Sequence, residues 1–141
     1  MRNILIVANQ TLGGNELQKV IKQRAESGEC DFWVVVPATA TADLAVPPRA
    51  GARNLDDEGT ALAEGRLATE LDRLKVEGVR AAGEIGDPDP IRAIQDTMAV
   101  RQFDEIILAT LPQGVSRWLR QDLVHRARRK FSVPLTHVVS A

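Results

Sequence analysis

The sequence holds a single cysteine, Cys30, among 141 residues. No intrachain disulfide and no multi-cysteine metal site can form, and a reducing compartment fits that scarcity best. A lone cysteine of this kind reads first as a small packing residue, with a reactive thiol as the alternative. An excess of one charge is missing as well. Eighteen basic against 19 acidic side chains leave a formal net charge of −1, which gives no overall pull toward nucleic acid or a membrane surface. Long apolar runs are also absent. The stretch Ile4–Ala8 is too short for a secretory signal core, and nothing approaches the roughly 20 apolar residues of a membrane-crossing helix. These absences leave a cytoplasmic, globular protein as the expectation. At 44% hydrophobic and 26% charged residues the chain can bury one sizeable core.

What is present alternates between two patterns. Ile4-Leu5-Ile6-Val7-Ala8, Phe32-Trp33-Val34-Val35-Val36 and Glu105-Ile106-Ile107-Leu108-Ala109 are continuous apolar stretches. Unbroken apolarity over about five residues suits strands buried on both faces, as in a parallel sheet. Val79–Ile85 reads as a weaker edge strand, and Val133–Val139 as a last strand. Between them the helical period recurs. It runs through Leu17, Val20, Ile21 and Ala25, then Leu62, Leu67, Leu71 and Leu74 from Gly59 to Glu77. A third helix presents Ile91, Ile94, Met98 and Val100, and a fourth is expected from Val115 to Lys130. Residues 37–58, with Pro47-Pro48, form one long irregular connection. No repeat or linker interrupts the chain, so residues 1–141 are read as one domain.

Strands alternating with helices imply right-handed crossovers and helices on both faces of the sheet. The expected architecture is a three-layer α/β/α sandwich with a five-stranded parallel sheet in the order 3-2-1-4-5, a Rossmann-like arrangement. In such a sheet the winding reverses between strands 1 and 4, and ligands bind beyond their carboxyl ends. The loops there carry Asn9, Gln10 and Thr11, and Thr110 to Ser116 with Arg117 beyond.

Ile4–Ala8, the Gly86-Asp87-Pro88 turn, Glu105–Leu108 and the ending Ser132-Val133-Pro134-Leu135-Thr136-His137-Val138-Val139 resemble the universal stress protein family, within the adenine-nucleotide α-hydrolase-like superfamily. The resemblance covers nearly the whole chain. Thr110-Leu111-Pro112-Gln113-Gly114-Val115-Ser116-Arg117-Trp118-Leu119-Arg120 is similar to a bacterial branch of that family. The resemblance implies a stress-related or regulatory binding module and a homodimer formed through the final strand. An unpaired edge at Val133–Val139 gives the dimer a physical motive. Nucleotide-binding members place glycines where their backbone can approach phosphates. Here an ungapped reading puts Ala109, Pro112 and Asp122 at those three positions, and Asn9 where an acidic residue commonly follows strand 1. Pro112 has no N–H to donate, and Asp122 adds negative charge. ATP in its usual mode is therefore disfavoured, although an adenine nucleotide stays open as a ligand.

The residues that remain suit a small anionic or nucleotide-like ligand. Asn9, Gln10 and Thr11 offer donors and acceptors, or are simply turn residues. Thr110, Gly114, Ser116 and Arg117 can hold an anion through a hydroxyl, free backbone and a forked guanidinium, or form a tight turn with an ordinary cap. Asp87 can accept from a ribose hydroxyl, but is read first as a helix cap. Trp118 reads as core before it reads as a stacking platform. His125 and His137 show no metal or triad spacing, and no metal is expected. The five arginines and one lysine of residues 117–130 are read as a solvated helix face rather than a nucleic-acid contact. The expectation is a non-catalytic binding module. The alternative is a nucleotide-binding or nucleotide-hydrolysing enzyme of the same superfamily, with Asp87 and Asp122 as the available carboxylates. A phosphoacceptor receiver is discounted, because Asn9-Gln10 stands where such a domain needs acidic residues.

Overall fold

Continuous apolar stretches become the strands of a parallel sheet. In the computed structural model the described residues are 2–8, 12, 14–37, 55–110 and 121–139, the side chains of 55–60 and 121–122 excepted. The elements run β1 (Arg2–Val7), α1 (Asn15–Ser27), β2 (Cys30–Pro37), α2 (Leu55–Val76), β3 (Ala81–Gly86), α3 (Pro90–Val100), β4 (Glu105–Thr110), α4 (Gln121–Lys130) and β5 (Leu135–Val139). Every pairing is parallel, and the strand order is β3-β2-β1-β4-β5, as the alternation of strands and helices predicts.

Successive side chains of a strand point to opposite faces, and both faces here are apolar. Ile4, Ile6 and Ala8 pack with Val34, Val36, Ile107 and Ala109 in one core, which α1 and α2 cover through Leu17, Ile21, Ala63, Leu67 and Leu74. Leu5, Val7, Val35, Ile106 and Leu108 pack in the other core, beneath Ile91 and Ile94 of α3 and Leu123 and Ala127 of α4. The two layers record the direction of winding. With right-handed crossovers, the steps β1 to β3 lay their helices on one face, and the steps β3 to β5 travel back and lay theirs on the other.

Several expected positions shift. α2 begins at Leu55 rather than Gly59, and its inward residues are Ala63, Leu67, Glu70 and Leu74, while Leu62 is 40% exposed. Leu67 and Leu74 face inward as expected, but Ala63 and Glu70 take the places of Leu62 and Leu71, and Gln18 Nε2 of α1 donates to the buried Glu70 carboxylate at 2.6 Å. Val100 is exposed at the end of α3. β3 and β5 each start two residues later than the apolar stretches suggest. Pro134 has no N–H, yet its carbonyl accepts from the Ile106 amide at 2.9 Å. Residues 111–120 and the irregular stretch 38–54 lie outside the described residues.

At the amino end of β4 one polar cluster ties the sheet to α1. Glu105 opens β4 and is buried. Arg24 of α1 grips its carboxylate with Nε and Nη2, each at 2.9 Å. Thr136 Oγ1 donates at 2.6 Å and Arg2 Nη2 at 3.3 Å. The Arg24 guanidinium, aided by Thr136 and Arg2, outweighs burial and holds the Glu105 carboxyl below its ordinary value. Beside it, Asn3 and Asp104 pair β1 to the start of β4. The Asn3 amide donates to Asp104 Oδ2 at 2.8 Å, and the Asp104 amide donates back to the Asn3 carbonyl at 2.7 Å.

Candidate functional site

The reversal of winding between β1 and β4 leaves a crevice beyond their carboxyl ends, because α1 leaves on one face and α4 returns on the other. Ala8, fully buried, ends the run of β1, and its amide donates to the Val35 carbonyl at 3.3 Å. Thr110 ends β4 with 1% exposure. A threonine so deep needs a partner for its hydroxyl, and His137 of β5 supplies it with Nε2 at 2.7 Å from Thr110 Oγ1. Which of the two donates follows the imidazole tautomer. Burial, reinforced by the positive charge of Arg128, keeps the His137 pKa below 6.5. The imidazole therefore stays neutral at neutral pH and braces the hydroxyl beside the crevice. The unfolded chain accepts the proton that this site refuses, so His137 contributes stability that declines as pH falls below about 6.5.

α1 also meets the crevice. Gly14 is its N-cap, in extended backbone, and has no side chain to accept from the first-turn amides. Those N–H groups and the positive end of the helix dipole are suited to an acceptor from outside. α3 differs. Its N-cap Asp89 accepts from the Ile91 amide at 3.0 Å, followed by Pro90 in the first turn. The helix end is thereby filled by the chain's own carboxylate.

The predicted site residues fare unequally. Thr110 ends β4, beside the reversal of winding. Asp87 does not cap α3, because Asp89 occupies that position. Asp87 Oδ1 accepts instead from the Asp89 amide at 2.9 Å, and Oδ2 lies 3.7 Å from Arg92 Nε. Pro88 between the two aspartates fixes the turn so that the second carboxylate, not the first, reaches the helix end. Asp87 also follows the edge strand β3, three strand spacings or about 14 Å from β4, so only a ligand lying across β2 and β1 touches both. Asn9, Gln10, Thr11, Gly114, Ser116 and Arg117 lie outside the described residues, as do Pro112 and Trp118. His137 was not among the expected site residues. Its clue is the register of β4 and β5, which pairs it with Leu108 and turns it to the face that Thr110 shares. His125 is exposed on α4. Among the described residues no group of three or more His, Cys, Asp or Glu is arranged to hold a metal, and no helix is long and apolar enough to cross a membrane.

No protein-family model and no curated protein matches the sequence. Solved structures match its fold end to end. A universal stress protein family member from Burkholderia pseudomallei superposes with a TM-score of 0.64 at 14% identity, covering 97% of this chain and 95% of its own. A universal stress protein from Archaeoglobus fulgidus gives 0.66 at 12% identity over 98% and 93%. A universal stress protein in complex with cAMP gives 0.55 at 15% identity over 99% and 98%. Strand order, layering and near-complete mutual coverage agree: the chain has the universal stress protein fold.

Proposed function

We propose that the protein is a non-catalytic, stress-related or regulatory binding module that takes a small anionic or nucleotide-like ligand in the β1/β4 crevice. The observation that carries this reading is the α1 N-terminus, left without a capping side chain at Gly14 where the winding reverses. Thr110, held by His137, places a hydroxyl at the end of β4, the strand next to β1. Asn9, Gln10, Thr11, Gly114, Ser116 and Arg117 complete the site in this reading. The fold neighbour that binds cAMP supports a nucleotide-like ligand. Ala109, Pro112 and Asp122, in place of phosphate-approaching glycines, speak against ATP in the usual mode. The lone cysteine supports a cytoplasmic setting.

A thermal-shift series with cAMP, cyclic dinucleotides, ATP and simple anions tests the reading. A ligand at a hundredfold excess over its dissociation constant stabilises by about 2.7 kcal/mol. The expected result is a shift with a small nucleotide or anion, and little or none with ATP. No shift with any of them removes the ligand from the proposal.

The same reading includes a homodimer formed through β5. Among the described residues that strand is a sheet edge with no partner along one side, and Val139 on it is 47% exposed. Light scattering is expected to give twice the 15.4 kDa chain mass. A monodisperse monomer rules the dimer out.

A further inference from the structure

A second cleft, of about 620 Å³, opens at the opposite, amino end of the sheet, below β1, β2 and β3. Its wall is built around Trp33 of β2 and the segment that joins α3 to β4. The guanidinium carbon of Arg101 lies over the Trp33 ring, 3.7 Å from its centroid. Stacking on indole fixes the plane of a guanidinium and leaves its in-plane N–H donors facing outward. Arg101 has no carboxylate partner among the described residues. Trp33 Nε1 is buried and lacks an acceptor among them. A buried donor without an acceptor is uncommon and costs folding free energy.

The charges around the cleft favour an anion. Arg80 on the rim lies 3.8 Å from Asp31, so Arg101 is the positive charge in excess. The carbonyl end of α3 beside it is weakly negative, which makes the cleft dependent on that one cation. The remaining lining is mixed, with Phe32, Phe103 and Ala82 beside Gln102 and Asn3. Such a wall suits a body with an apolar part rather than a bare ion. The cleft is remote from the β1/β4 crevice, at the other end of the strands.

We infer that this cleft binds a small organic acid, its carboxylate held by the Arg101 fork and its apolar part against the cleft wall. The site is independent of the crevice ligand, and either assignment stands without the other.

Benzoate and inorganic phosphate are the probes, followed by the indole N–H resonance of Trp33 in the full chain carrying Trp118→Phe. Benzoate is expected to move that resonance saturably. Arg101→Ala is expected to weaken its binding about ten- to a hundredfold, as loss of a charged hydrogen-bond donor does. Arg101 is exposed, so its removal leaves the core intact. If the Trp118→Phe chain does not fold, the two indole resonances of the natural sequence are told apart by their response to Arg101→Ala. No saturable shift up to the solubility of benzoate overturns the site, as does a shift that survives Arg101→Ala. Equal saturation by phosphate overturns the organic-acid class, leaving a plain anion site.

Discussion

Glu105→Ala is expected to cost about 3 kcal/mol of folding stability, measured by urea denaturation of the full chain. Breaking a buried ion pair by removing one partner commonly costs about 3–5 kcal/mol, because the surviving charge stays buried. Here the survivors are not fully buried. The Arg24 side chain is 23% exposed and that of Arg2 52%, so both can turn toward water, and the low end of the range applies. Thr136 loses its acceptor as well. Combining Glu105→Ala with Arg24→Ala is expected to cost less than the two separate losses added together, since both act on one bidentate contact. A cost below about 1 kcal/mol for Glu105→Ala would reduce the cluster to the level of a surface ion pair. The acid limb gives a second measurement. The Glu105 carboxyl is held below 4.5 in the folded chain, so its contribution is complete above that value. It is lost as pH falls through the lower folded pKa. Glu105→Gln is expected to lower stability most above pH 4.5, where the carboxylate's contribution is complete, and to flatten the fall of stability with pH below that.

Gly83→Val is expected to be comparably severe, at about 3 kcal/mol. A Cβ on Gly83 runs into the backbone carbonyl oxygen of Val34, its partner in β2, and meets Leu67 Cδ1 of α2 at 2.9 Å. The methyl of Leu67 can move aside. The carbonyl cannot, because it belongs to a central strand paired on both sides. Gly65→Ala is the matched control. It lies inside α2 with nothing within 4 Å of an added Cβ, and alanine there is expected to gain about 0.5–1 kcal/mol from helix propensity. Denaturation midpoints for both variants decide the matter. A Gly83→Val chain as stable as the natural one would show that β3 can slide away from β2.

Strand order was readable from the sequence because it rests on a few strong regularities. Three unbroken apolar stretches alternate with helical spacing, and handedness leaves few ways to wind them. Side-chain placement was less readable wherever a polar group finds a distant partner. Glu70 breaks the apolar spacing of α2, yet it faces inward because Gln18, 52 residues earlier, satisfies it. Glu105 sits at the head of an apolar strand, and its partners at residues 2 and 24 leave no trace in the local pattern. Asp87 and Asp89 each stand directly before a proline, so local chemistry left the cap open between them, and only the start of α3 at Pro90 assigns it to Asp89. The crevice was found by topology alone, and Thr110 within it by position. His137 needed the β4–β5 register, which alternation along a five-residue strand does not supply.

The central position of β1 also governs when the chain can fold as it is made. Ile4 lies beside Phe32 on one side and Glu105 on the other. The first strand therefore waits about a hundred residues before its second neighbour exists. Pairings of such long sequence separation close slowly, and until then one whole edge of β1 offers unpaired backbone and apolar side chains to any other chain nearby. A nascent protein of this architecture is most exposed to misassociation midway through synthesis, and leaves that hazard only when β4 has cleared the ribosome.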